Sequence, residues 1–189
     1  MAKSKLSDLK KLIAEMSEEE LRQEIVKLYT KLPQVKEFYN QDLMTEEERQ
    51  VLLKSYKDKI YKQFWTSGGN PKGNTNNAFI KSIIAEYERT AVFPYDIVDL
   101  LIYRVEMTTD IADQFGGWDD AGYNASITAF KKATKLMKEN NLKSHFEKRC
   151  KSIFKHDNLD YWYIEQLEYL FDEIDKPDSS KDEKIDEDE

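Results

Sequence analysis

Apolar residues in this chain recur at intervals of three and four rather than at alternate positions, the spacing that lines one face of an α-helix. The longest such run is FPYDIVDLLIYRVEMTTDIADQF, residues 93–115, which aligns Ile97, Leu101, Val105, Thr108, Ile111, Ala112 and Phe115, with Leu100 alongside. Shorter periodic segments on both sides are expected to pack around it. The first carries Leu6, Leu9, Leu12, Ile13 and Met16; the second Leu21, Ile25, Leu28, Tyr29 and Leu32; the third Val35, Phe38 and Tyr39. A fourth aligns Leu52, Leu53, Tyr56, Ile60 and Phe64, and a fifth Phe79, Ile80, Ile83, Ile84 and Tyr87. Beyond the long run follow Tyr123, Ile127, Phe130, Thr134 and Met137, then Leu142, Phe146, Cys150 and Ile153, and last Tyr163, Leu167, Leu170, Phe171 and Ile174.

The residues between these runs are those that start and stop helices. Ser17 with Glu20, and Thr45 with Glu48, have the capping-box form. Pro33 and Pro94 suit a first helical turn, Gly116 suits a left-handed cap, and Asp119 or Asp120 can cap the helix that follows. At residues 66–77, TSGGNPKGNTNN, periodicity gives way to turn formers, with Asn74 or Asn76 available as the next cap. A phosphate cradle is disfavoured there. Lys72-Gly73 reverses the order a P-loop needs, and no strand precedes it. With no strand signal and no fixed repeat, the expected fold class is all-α: an irregular multi-helix bundle or short α-superhelix of about seven to nine helices.

Length and charge refine this picture. A chain of 189 residues can bury a core without disulfides, so residues 1–175 read as a single helical domain. Residues 176–189 read as a disordered acidic tail: eight acids and three lysines in residues 175–189 give −5 of the net −8. Residues 131–155 hold nine bases against Glu139 and Glu147, a local +7. One cysteine, no signal-like apolar segment and no spanning run point to the cytoplasm and to no membrane.

Candidate chemistry lies where the pattern is interrupted. Arg104 falls within the stripe of the long helix, and Arg149 beside Phe146, Cys150 and Ile153, so the two are a candidate anion site. The competing reading satisfies each with a helix-borne carboxylate or with backbone carbonyls. Lys148, Lys151 and Lys155 share an outward face, a candidate basic surface for nucleic acid or an acidic partner. Nucleic acid is disfavoured by the overall acidity. Tyr161 and Trp162 lie off the stripe of their helix; packing on a neighbouring helix is the default and a partner contact the alternative. Glu106, Asp110 and Asp113 fall opposite the apolar stripe and read as a solvated face, with no histidine at metal-ligand spacing. His145, His156 and Cys150 fit no zinc or nucleophile pattern, and no catalytic motif occurs, so no catalytic residue, cofactor or metal is expected.

Across VKEFYNQDL, FGGWDDAGYNASITAFKKATKLMKENN and FEKRCKSIF, the chain resembles a family of small bacterial proteins known as a domain of unknown function, the DUF6155 type. The resemblance runs over most of residues 5–174 through scattered aromatic, glycine-aspartate and Arg-Cys landmarks. It implies a helical domain in a bacterial cytoplasm and carries no activity or site. The leading functional expectation is a non-enzymatic protein-interaction module with an unknown protein partner. The alternative is an anion- or nucleic-acid-binding protein using residues 131–155 or the two inward arginines. An enzyme with a motif-less site ranks third, and the oligomeric state is left open.

Overall fold

The computed structural model describes residues 5–73, 75–156 and 158–177. Nine α-helices run through them: α1 (Leu6–Ala14), α2 (Glu18–Lys31), α3 (Pro33–Leu43), α4 (Glu46–Phe64), α5 (Asn77–Glu88), α6 (Pro94–Phe115), α7 (Asp120–Glu139), α8 (Lys143–Ile153) and α9 (Tyr161–Asp172). A 3-10 turn at Glu173–Asp175 ends the described chain. The fold is all-α. Residues 178–189, most of the expected acidic tail, and Asn74 lie outside the described residues.

The helix ends follow local chemistry. Ser17 and Thr45 each close a capping box with the glutamate three residues on, and Asp119 accepts from the Gly122 amide at 2.5 Å. Gly116 leaves α6 with φ 74°, a conformation that costs glycine little. Asn76 caps α5, its Oδ1 accepting from the Phe79 amide at 3.0 Å. The turn-rich segment before α5 folds back on the end of α4. The Lys72 amide donates to the Phe64 carbonyl at 2.7 Å, and the Lys72 ammonium caps the Lys62 carbonyl. Lys72 is thereby committed to the end of a helix.

The long helix occupies the middle of the bundle. Helices α4, α5, α7 and α8 all pack on α6, and α9 covers α7 from outside. The arrangement is a bundle about one helix rather than the alternative superhelix, because successive helices return to α6 instead of stacking only on their neighbours. From Asp96 to Asp113 no residue of α6 is exposed. The one-faced stripe therefore needs correction. Val98, Ile102 and Met107, off that stripe, are buried as well, whereas Phe115 at its end is 53% exposed. A helix apolar nearly all round belongs inside a core. Phe79, expected inward on α5, is also exposed.

The N-terminal helices differ from this core. Helix α2 packs on α3, yet no described side chain of α1, α2 or α3 is fully buried. No helix among the described residues is long and apolar enough to cross a membrane.

Candidate functional site

Arg104 projects from α6 into the space between the N-terminal ends of α5 and α7, and only 2% of it is exposed. Its guanidinium donates to the Thr108 hydroxyl one turn along its own helix, to Asn77 Oδ1 at 2.9 Å and to the Gly122 carbonyl at 3.4 Å. None of these acceptors carries a charge. Among the described residues no carboxylate pairs with Arg104, although the Phe64 ring lies 5.6 Å below it. Burial with no acid to oppose it pulls the guanidinium down to about 10, which still leaves it charged at neutral pH. A buried cation satisfied only by neutral oxygens is held in the folded protein without a counter-ion.

Arg104 is also at one end of a cavity of about 430 Å³. Helices α5 and α7 form its walls and Leu101 of α6 part of its floor. Four of the wall residues are alanines: Ala78 and Ala85 on α5, Ala125 and Ala129 on α7. Side chains this small do not fill the space between the two helices, which leaves a mostly apolar gap there. Asn77 and Gly122 sit at the Arg104 end, and a salt bridge between Lys132 and Glu88, 2.6 Å, stands where α5 finishes. The first turn of α5 holds no acidic residue, so its amide end adds positive potential beside Arg104. A mostly apolar gap with one fixed charge at its end is the form of a small-molecule site.

Gly122 makes that end of the gap possible. A Cβ there would stand 2.0 Å from Trp118 Cδ1 and 2.3 Å from Trp118 Nε1. The Cδ1–Nε1 edge of the indole therefore presses against the start of α7, at the residue whose carbonyl accepts from Arg104.

The other arginine goes elsewhere. Arg149 is claimed by two carboxylates of α6: its Nε and Nη2 donate to Glu106 at 2.8 and 2.7 Å, and Nη1 to Asp99. Asp99 also takes the Lys57 ammonium at 2.7 Å, which ties α4, α6 and α8 together. These contacts hold Arg149 well above the usual range for its group, against the cost of burial. Around the α6 axis Arg104 stands roughly 140° from Asp99. The two arginines thus serve opposite sides of one helix and do not form a joint anion site.

The remaining candidates separate in the same way. Lys148, Lys151 and Lys155 are exposed, with Lys151 paired to Glu147 at 2.7 Å. Part of the local +7 is balanced by acids from outside the segment, since Lys132 pairs with Glu88, Lys143 with Asp175 and Arg149 with Asp99 and Glu106. Tyr161 and Trp162 are 81% and 47% exposed, which corrects the expectation that they pack on a neighbouring helix. Cys150 is buried and its thiol is pushed up to about 12 by desolvation, the behaviour of a small hydrophobe. His145 meets the edge of Tyr95, 5.9 Å between ring centres.

The acidic face of α6 is not the open surface that the helical wheel implies. Glu106, Asp110 and Asp113 are half-buried, Glu106 beneath Arg149 and Asp113 with the His156 Nδ1 3.4 Å away. Asp110, Asp113 and His156 share a more open cavity of about 380 Å³ with Tyr61 and Trp65. Burial raises the Asp110 carboxyl above the ordinary carboxylate range; His156 opposes the rise, and Glu106 and Asp113 add to it. The signal in the sequence was the position of Glu106, Asp110 and Asp113 on a helix whose remaining faces are also apolar.

Comparison with known proteins adds a family but no activity. The model of a family of unknown function, DUF6155, matches residues 1–175. No curated protein and no solved structure matches the chain.

Two outcomes are expected. Replacing Gly122 by alanine should lower stability by about 1–3 kcal/mol, because the new methyl overlaps the indole, and should shift the Trp118 fluorescence; an unchanged urea midpoint would place the indole elsewhere. Asp110→Asn should raise stability at pH 7 by a few tenths to about 1 kcal/mol. A carboxyl raised in the fold binds its proton more tightly there than in the unfolded chain. Ionised Asp110 therefore subtracts stability at neutral pH, and the subtraction fades as pH falls through its folded pKa. Urea midpoints at pH 7 and pH 4 check the sign; a gain that grows at acid pH contradicts it.

Proposed function

We propose that this chain, which belongs to the DUF6155 family of unknown function, is a binding protein for a small organic anion held by Arg104 between α5 and α7. One observation carries the reading: Arg104 is buried, charged and without a carboxylate, at the end of an apolar cavity. Evolving a buried guanidinium only for stability is inefficient, since an apolar residue of similar volume costs less desolvation. An anion entering from the cavity would supply the missing charge through a charge-assisted hydrogen bond. The lone cysteine supports placing this activity in a reducing bacterial cytoplasm.

A second reading, the protein-interaction module, is supported by α1. Leu6, Leu9, Leu12 and Ile13 are all exposed on this helix. Its polar side carries Lys5, Lys10 and Lys11 against Asp8, so the occupant that fits is an amphipathic helix with acidic flanks. A labelled peptide of that design should bind the protein in fluorescence anisotropy and lose binding to Leu9→Lys; equal binding to both sinks this reading.

For the anion reading, Arg104→Met should change the stability of the ligand-free protein by no more than about 1 kcal/mol, since a lost buried charge offsets lost hydrogen bonds. An arginine whose hydrogen bonds hold α5 and α7 in place would instead cost about 1–3 kcal/mol or more on removal, because the Asn77 and Gly122 oxygens lose their donor. Calorimetric titration with acetate, benzoate and phosphate should detect saturable uptake by the natural chain that is weakened at least about tenfold in Arg104→Gln. Identical uptake by both proteins overturns the reading.

A further inference from the structure

Resting on the anion reading above, we infer that the ligand is an unbranched aliphatic monocarboxylate of about ten to twelve carbons, its carboxylate on Arg104 and its chain along the gap between α5 and α7.

The charge count selects the head group. Arg104 supplies a single buried positive charge, and its other contacts, Thr108, Asn77 and the Gly122 carbonyl, are neutral. A monoanion closes that account, whereas a dianionic phosphate would leave a buried negative charge unpaired. The far end selects the tail. There Lys132 and Glu88 are already paired with each other at 2.6 Å, so no unmatched cation awaits a second carboxylate. Lys81, the remaining cation on the wall, stands one turn from Asn77 with its side chain exposed, where it draws an anion toward the entrance without entering the apolar gap.

The walls select shape and length. Ala78, Ala85, Ala125 and Ala129 present methyl groups on both sides, and with Ala78 and Ala85 exposed they form a solvent-open apolar groove that a methylene chain can lie along. From Asn77 to Glu88 helix α5 rises about 16 Å, and an extended chain advances roughly 1.2 Å per bond, so ten to twelve carbons span about 11–13 Å of it and stop short of the Lys132–Glu88 pair. A cavity of about 430 Å³ lies within the range that holds such a molecule.

The test is calorimetric titration of the full chain with acetate, hexanoate, decanoate, hexadecanoate, decanol and decyl phosphate. Affinity should rise roughly three- to fourfold per methylene from hexanoate to decanoate and gain little beyond about twelve carbons. Decanol should bind at least about tenfold more weakly than decanoate, and that preference should vanish in Arg104→Gln. Ala125→Leu, which narrows the groove without touching Arg104, should abolish the gain with chain length while the protein keeps its circular dichroism and cooperative melting. Affinity for acetate equal to that for decanoate, or decyl phosphate binding more tightly than decanoate, overturns the monocarboxylate inference and leaves the Arg104 anion site standing. No saturable, Arg104-dependent uptake of any anion overturns both.

Discussion

A helix enclosed along most of its length, as α6 is from Asp96 to Asp113, cannot turn its polar side chains freely to water, so they must be met by the structure around them. In α6 that requirement arranges the bundle. Asp96 meets Arg49 of α4 at 3.1 Å, Asp99 meets Lys57 of α4 and Arg149 of α8, and Glu106 shares the same Arg149. Such pairs contribute little net stability, because desolvation offsets most of the attraction. Their force is in selection: a packing that left one of these carboxylates alone would cost several times what the correct pairing gains. They thus fix which sides of α4 and α8 can face the central helix.

Arg104 obeys this requirement only halfway. Its hydrogen bonds are met by neutral oxygens, its charge is not met, and it lines the end of the gap between the alanines. Positions where a local rule is broken without a compensating partner are where function is expected. The departure is also built from several elements at once. Asn77 arrives on the last residue of the turn-rich segment, Gly122 opens the path for its carbonyl by leaving room for Trp118, and Thr108 returns from the same helix. Asp110 is a lesser departure on another side of α6, a half-buried carboxyl among like charges.

Helix starts and stops were legible because their chemistry is local. The two capping boxes, Asn76, Gly116 and Asp119 act within one turn of the residues they serve, and each does what its sequence position implies. The inward position of Arg104 was legible too, from its place among Ile97, Leu101, Thr108 and Ile111. Its surroundings were not. Nothing near Arg104 in sequence announces Asn77 or Gly122. Arg149 shows the reverse case, since the same inward placement led it to two carboxylates. Tyr161 and Trp162 follow a helical wheel that says which side they occupy, and only the neighbouring helices decide whether anything covers that side.

Periodicity and caps depend on residues a few positions apart, and they were enough for an all-α chain, the order of its helices and the long helix at its centre. The tertiary structure alone decided that this helix is covered all round, that Arg149 is paired across 50 residues to Asp99, and that Arg104 is left facing a cavity. Those outcomes depend on which helices meet. One-dimensional spacing says which face a charge is on, while its partner is set by the helix that comes to lie against it.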